Sequence, residues 1–514
     1  MNNDKVGIAV LDFGGQYSHL ICRRVRGLGV RARLFPYDTS LEHLKASDVK
    51  GVILSGGPAS VYDTDAPRPD PGILQGELPV LGICYGYQLL VQDRGGQVTR
   101  SKRREYGKAS LNILSHAGLF AGITEKRVTC WMSHGDSARR IPTDFRVLAS
   151  SANSRYAALA SMDGKCYGVQ FHPEVAQTEH GAQMLSNFVF GACRAKRNWR
   201  MDDFVRRTVD ELSTTLSGRV LCAVSGGVDS STTALLLHRA VGERLQCVFI
   251  DHGLLREGET AEVRRAFRDA MGIDLVMIDA ADRFLIALKG IHDPEQKRKI
   301  VGRVFADVFE EYARKSGSFK FLAQGTVYPD IVESGRTSKL SAKIKTHHNV
   351  GGLPKDLSLD VVEPLKELYK DEVRKVAEIL GLPASIRKRH PFPGPGLAVR
   401  IIGEVTPDKL RVCRMANKVV EEVVVKHGLY DKVWQALAYL GDDQLTGVLG
   451  DERKSGHQVT VKVVESVDAM TADWARLPYD ALEEMSRRIT NEIEGVVSVS
   501  YAVSSKPPST IEPQ

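Results

Sequence analysis

At 514 residues the chain is too long for a single hydrophobic core, so about three domains and room for more than one active site are expected. With 43% hydrophobic and 26% charged residues it has the composition of a globular protein, which excludes a disordered or fibrous chain. The formal net charge of +7 is a modest excess, fitting anionic small substrates, or nothing in particular, better than nucleic acid. No run of about 18 apolar residues offers a membrane span, and the N-terminus lacks a basic stretch followed by a cleavage site, so a cytoplasmic protein without membrane contact is expected.

In chain order, VGIAVLDF, GVILSGG, PVLGIC and YGVQFH read as buried strands that end in Gly-rich or chemically loaded turns, which makes the first stretch an α/β domain. The polar, basic CRAKRNWRMDDF near residue 200 breaks that rhythm and marks a boundary. A second α/β rhythm follows: RVLCAVSGG as a strand into a glycine turn, VDSSTTALLLHRAV as a helix, LQCVFIDHG and IDLVMIDA as further parallel strands. RHPFPGPGLAVR reads as a rigid, non-helical junction, after which helices and strands such as HQVTVKVVES run to a polar tail. The expected fold class is α/β, with two parallel-sheet domains over 1–197 and 198–392 and a smaller α+β domain over 393–514. The eight cysteines (Cys22, Cys84, Cys130, Cys166, Cys193, Cys222, Cys247 and Cys413) are scattered singly with no CxxC pair, which predicts reduced thiols and no zinc.

In PVLGICYGYQLL a strand delivers Cys84 to a tight turn, and the positive end of a helix starting near Gly86 favours a thiolate there. Taken alone, a cysteine between glycines is also what an inert core thiol looks like. YGVQFHPE supplies what the thiol lacks: His172 as proton carrier and Glu174 as the carboxylate that orients it, with Pro173 stiffening the turn. Gly57 in LSGGPASV and the amide of Tyr85 are candidate donors to a tetrahedral oxyanion. Together SGGP, GICYGYQ and GVQFHPE resemble the class I glutamine amidotransferases over about the first 195 residues. The resemblance implies that Cys84 attacks the glutamine carboxamide, His172 passes the proton to departing ammonia, Glu174 holds His172, and a thioester at Cys84 hydrolyses to glutamate.

AVSGGVDSS puts glycines and hydroxyls between a strand and a helix, where backbone N–H groups ring a phosphate. It lacks the lysine and spacing of a Walker loop, which disfavours γ-phosphoryl transfer. It resembles instead the pyrophosphate-gripping loop of N-type ATP pyrophosphatases, implying ATP contacts from Ser225, Gly226, Gly227, Val228, Asp229, Ser230 and Ser231, with Asp251 near the adenosine. A leaving pyrophosphate needs its charge neutralised, so Mg²⁺ is expected with ATP, and Asp229 and Asp330 are candidate ligands.

Over the whole chain, KIKTHHNVGGLP, RHPFPGPGL, VWQALAYL, GVLGDER and SKPPSTIE resemble the glutamine-hydrolysing GMP synthetase family. The resemblance implies that ATP adenylylates xanthosine monophosphate (XMP) with release of pyrophosphate, and that ammonia displaces AMP to give GMP. It places XMP against Arg298, Gln435, Asp451, Lys506 and Glu512, makes Lys345, Thr346, His347, His348 and Asn349 part of a lid, and implies a homodimer. Three departures from the family pattern are the TIEPQ ending, KSGH after GVLGDER, and His252 after Asp251. A synthetase of NAD or asparagine would share SGGVDS but not the later segments; a nucleotide-binding regulator would not need Cys84, His172 and Glu174; a tRNA-modifying protein would want a CxxC or a basic stripe.

Overall fold

The computed structural model describes residues 5–333, 359–449, 452–466 and 471–514. They form two compact units, one built on residues 5–204 and the other on residues 205–330 together with the described residues from 359 onward. Among the described residues no helix is long and apolar enough to cross a membrane.

The first unit is built on nine strands: β1 (Ile8–Asp12), β2 (Ala32–Pro36), β3 (Gly51–Leu54), β4 (Val80–Ile83), β5 (Gln97–Ile113), β6 (Arg127–Arg140), β7 (Phe145–Ser151), β8 (Ala158–Ser161) and β9 (Cys166–Val169). They lie in the order β2-β1-β3-β4-β9-β8-β7-β5-β6. The first five in that order pair in parallel and the rest antiparallel, so the sheet is mixed where an all-parallel one was expected. The antiparallel half alternates buried and partly exposed residues along β6, the pattern of strands with one face on the core, and such strands lack the apolar runs by which parallel strands are recognised. YGVQFH, read as a strand to His172, ends as a strand at Val169, and His172 lies in the turn beyond it.

The second unit holds an all-parallel sheet of β10 (Val220–Ala223), β11 (Leu245–Asp251), β12 (Leu275–Asp279), β13 (Phe321–Ala323) and β14 (Asp360–Val362), in the order β12-β11-β10-β13-β14. The helix Val228–Val241 follows β10 directly, and Ala234, Leu235, Leu236 and Leu237 bury its middle turns. The Pro-rich junction ends in a short 3₁₀ turn, Gly396–Arg400, followed by the helix Pro407–Lys426. Beyond it come β15 (Gln435–Leu449), β16 (Glu452–Glu465), β17 (Asp473–Trp474) and β18 (Val496–Tyr501), with β18 parallel to β16 and the other pairs antiparallel. One continuous apolar core joins Leu221 and Val248 of the parallel sheet to Val420 and Val461 of this last part.

What positions the first site is the packing of the helix Tyr85–Asp93 against β3 and β4. A Cβ on Gly82 would lie 2.5 Å from the Gly86 carbonyl group, and one on Gly86 would lie 2.4 Å from both the Cβ and the carbonyl oxygen of Leu54. No side chain fits at either place. Gly86→Ala is expected to cost about 1–3 kcal/mol by overpacking, seen as a lower urea midpoint with an unchanged slope; an unchanged midpoint would show that the helix can move off β3 freely.

Candidate functional site

Cys84 stands between β4 and its helix with φ +52° and ψ −102°, a conformation side chains rarely adopt. Such strain costs roughly 1–3 kcal/mol and persists only where the surroundings fix it. Here the Cys84 N–H donates to Val169 O at 2.8 Å, Gly86 N–H to Ser55 O at 3.1 Å, and Gln88 N–H to Cys84 O at 3.1 Å. The result is a thiol projected from the first turn of a helix, where backbone N–H groups have no intrahelical acceptor. Tyr85 opens that helix, so its N–H is among them.

His172 meets the thiol from the other side. Its Nδ1 lies 2.7 Å from Glu174 Oε1, both residues are buried, and its N–H donates to Trp131 O at 3.0 Å. Burial opposes a charged imidazole, but the Glu174 carboxylate and a hydrogen bond with Cys84 outweigh it and push His172 from 6.5 up to about 10. Arg24 Nε donates to the Glu174 main-chain oxygen at 2.8 Å, and Tyr17 packs edge-on against the imidazole with centroids 4.9 Å apart. A Cβ built on Gly56 would come within 3.2 Å of His172 Cε1 and 3.6 Å of Cys84 Cβ, so the Gly56–Gly57 loop borders both groups. The structure thus brings Cys84, His172 and Glu174 together and sets the loop of Gly57 beside them.

Sequence reasoning missed several neighbours. Cys84 Sγ lies 3.5 Å from Ser133 O and 3.9 Å from Gln170 Nε2, while Gln88 Nε2 donates to Asp136 O at 3.1 Å and Gln170 Oε1 at 3.3 Å. Gln88 carried a signal, an amide four residues after the thiol on the same helical face among apolar residues. Ser133 carried none, since it contributes only a main-chain oxygen.

In the second unit the loop 225–231 closes on itself. Ser225 N–H donates to Ser230 Oγ at 3.1 Å, Gly227 N–H to Ser225 Oγ at 3.4 Å, and Ser230 Oγ to Gly227 O at 3.2 Å. Gly226 takes φ +76°, and Val228 begins the helix whose first turn carries Asp229. Asp229 Oδ2 pairs with Lys370, which was not foreseen, while Asp229 Oδ1 and the Ser231 hydroxyl are buried with no hydrogen-bond partner. Asp251 ends β11 and accepts from Gly253 N–H at 2.9 Å and Thr260 Oγ1 at 2.7 Å. Burial pushes the adjacent His252 down to about 4, and its Nδ1 accepts from Leu254 N–H at 3.1 Å. Asp330 Oδ2 accepts from Val327 N–H at 3.0 Å. Among the described residues no group of three or more His, Cys, Asp or Glu is placed to hold a metal.

A third cluster gathers at the chain's end. Gln435 Nε2 donates to Glu512 Oε1 at 2.5 Å, and the buried Arg400 forks the same carboxylate at 2.8 and 3.0 Å. Arg298 donates to the Gln514 main-chain oxygen, and Lys506 exchanges main-chain hydrogen bonds with Ala472. The structure therefore joins Gln435 to Glu512 and shows Arg298 engaged by the tail; Asp451 and the expected lid, Lys345, Thr346, His347, His348 and Asn349, lie outside the described residues. Arg400 was hidden in a segment read only as a junction. Lys297, also missed, is fully buried, donates to Ala398 O at 3.2 Å and Gln514 Oε1 at 2.9 Å, and is pushed by burial down to about 8.

Residues 9–192 match the family model for glutamine amidotransferase class-I, and residues 422–513 match that for the GMP synthase C terminal domain. The chain is 52% identical to GMP synthase [glutamine-hydrolyzing] of Aquifex aeolicus over 98% of its own length and 99% of that protein. It is 50% identical to the enzyme of the same name from Symbiobacterium thermophilum over the full length of both.

The raised His172 gives a pH test of the pair. A histidine raised in the folded state adds stability that is complete below its ordinary 6.5 and is lost as pH climbs through about 10. Glu174→Gln removes the largest stabilising influence on the charged ring, so the stability gap between wild type and variant should be widest at and below pH 6.5 and should shrink towards pH 10. Urea midpoints across that range would show it; a gap independent of pH would mean the pair is not ionised as described.

Proposed function

The chain belongs to the glutamine-hydrolysing GMP synthase family and is an enzyme of glutamine-dependent GMP synthesis, and from that premise we propose how its residues divide the reaction. Cys84 is the nucleophile of a glutaminase: its sulfur bonds to the carboxamide carbon, and the oxyanion points to the N–H groups of Gly57 and Tyr85. His172, held by Glu174, gives its proton to the nitrogen, the C–N bond breaks and ammonia leaves. Water then attacks the thioester with His172 as base, releasing glutamate and restoring the thiol. The observation that carries this reading is the strained Cys84 backbone set against the buried His172–Glu174 pair.

In the second unit the loop Ser225, Gly226, Gly227, Val228, Asp229, Ser230 and Ser231 receives the pyrophosphate of ATP, with Asp251 toward the adenosine. The Ser225 and Ser230 hydroxyls bond to each other, while the Asp229 Oδ1 and Ser231 Oγ atoms are buried without partners, which suits a polar guest. Mg²⁺ bound with ATP supplies charge neutralisation of the leaving pyrophosphate, and Asp229 fits as its holder, with Asp330 as the second carboxylate. XMP lies among Arg298, Gln435, Asp451, Lys506 and Glu512: the cations meet its phosphate and the amide and carboxylates meet base and ribose edges. Its C2 oxygen attacks the α-phosphorus, pyrophosphate departs, and ammonia replaces the adenylyl group to give GMP and AMP. The active species in this reading is a homodimer, with domains over 1–197, 198–392 and 393–514.

The defining assay mixes the full chain with ATP, Mg²⁺, XMP and glutamine and follows GMP, AMP, pyrophosphate and glutamate. Cys84→Ala is expected to lose glutamine-dependent GMP formation by roughly 10³-fold or more while ammonium salts still support it; equal loss with both nitrogen sources would remove Cys84 from the role. Asp229→Asn should lower pyrophosphate release on the order of 10²-fold or more with either nitrogen source and leave glutamine binding alone. Pyrophosphate release at the wild-type rate in that variant would overturn the loop assignment.

A further inference from the structure

We infer that a cavity sharing no residue with those assigned to glutamine, ATP and XMP is a binding site for a nucleoside phosphate. The cavity, of about 310 Å³, lies in the second unit between the helix Lys370–Ile379, the segment 387–391 and the segment 430–434. Five of its lining residues are cations, Arg374, Arg387, Lys388, Arg389 and Lys432, against one carboxylate, Asp431.

Pairing decides which of these charges are available. Lys388 pairs with Asp431 at 3.3 Å, Arg387 with Glu378 at 3.1 Å, and Arg389 with Glu259 and Glu262 at 3.0 and 2.7 Å. Arg374 and Lys432 have no carboxylate partner among the described residues, and Arg374 Nε is buried with no hydrogen-bond acceptor. A buried guanidinium N–H without an acceptor is expensive, and an anion supplied from outside would satisfy it. Two unpaired cations at one cavity match a phosphate group.

The rest of the lining says what the phosphate is attached to. His390 and Tyr430 stack at 3.9 Å between centroids and 3° between planes, and Trp434 lines the same cavity. His390 N–H donates to Tyr430 Oη at 3.1 Å, and its Nε2 lies 2.9 Å from Tyr430 O, so both the ring and its backbone are fixed. Burial lowers the His390 titration, which leaves a neutral ring near pH 7. A flat, rigid aromatic pair beside two free cations is a surface for a base and its phosphate. The volume stands at the lower end for small-molecule sites, about 300 Å³ and upward.

The test uses the full chain with XMP, α,β-methylene ATP and Mg²⁺ at saturation, and GDP as the probe in equilibrium dialysis. One further equivalent of GDP per chain is expected, weakened at least tenfold in the Arg374→Gln/Lys432→Gln double variant and weakened by added salt. That variant should keep its urea midpoint and its glutamine-dependent GMP formation, since neither residue belongs to the proposed machinery. In Tyr430→Ala, GDP should lose its advantage over inorganic pyrophosphate. No GDP bound beyond the filled catalytic sites, GDP binding that disappears as XMP is raised, or equal affinity in the double variant would each overturn the proposal. Pyrophosphate binding as tightly as GDP to the wild type would overturn its nucleoside half.

Discussion

A cysteine held at positive φ is the constraint on which the first unit depends. Strain of that size survives only if the strand before it and the helix after it cannot relax, and here neither can. Gly82 and Gly86 allow helix and strands to approach to a distance no Cβ permits, and hydrogen bonds from the Cys84 and Gly86 amides lock both sides of the turn. The loops that face the thiol are tied to the same frame: Ser55 Oγ accepts from Phe13 N–H at 3.1 Å, and Ser18 Oγ donates to Asp12 Oδ1 at 2.7 Å. The energy stored at Cys84 is offset by the packing of the parallel half of the sheet, and the strained turn sits at the carboxyl ends of fully buried strands.

Carboxylates organise all three polar clusters, and each is held differently. Glu174 is fully buried against a histidine, so its charge fixes the ring's ionisation and orientation together. Asp229 is tied by one oxygen to Lys370 and keeps the other buried and unpartnered, an arrangement that suits a cation or a hydrogen-bond donor. Glu512 is clamped by Arg400 and Gln435, so the last residues of the tail are drawn against the 3₁₀ turn and the start of β15. A bidentate Arg–carboxylate pair fixes direction as well as distance. The tail's departure at TIEPQ therefore leaves its acid anchored.

The parts legible in the sequence were those whose chemistry or periodicity is local. Val228–Val241 matches the helix read from VDSSTTALLLHRAV end to end, because a glycine turn precedes it and Gly242 ends it. Cys84, His172 and Glu174 could be assembled because Cys84 and His172 follow apolar runs, Glu174 is two residues from His172, and a thiol, an imidazole and a carboxylate form a recurrent nucleophile, base and orienter set. The antiparallel half of the first sheet was not legible, because β5 and β6 pair across a long span and bury only alternate residues. Ser133, Lys370 and Arg400 were missed for a related reason. One acts through a main-chain oxygen, which any residue has, and the others acquire meaning only from partners 141 and 112 residues away.

Every group around the thiol, from the turn at Cys84 to the Arg24 contact on Glu174, comes from Met1–Phe204, while the 225–231 loop and the tail cluster come from the second unit. Each set is fixed by contacts inside its own unit, so a change in one cluster leaves the local support of the other untouched. That follows from the chemistry: making ammonia needs a thiolate guarded by a buried imidazolium, whereas making an adenylylated acceptor needs a loop open to polyphosphate and a neutralising cation. A single pocket would have to place a charged thiolate beside a leaving pyrophosphate, where like charges oppose both steps. Separate units remove that conflict, because each keeps only the charges that its own chemistry requires.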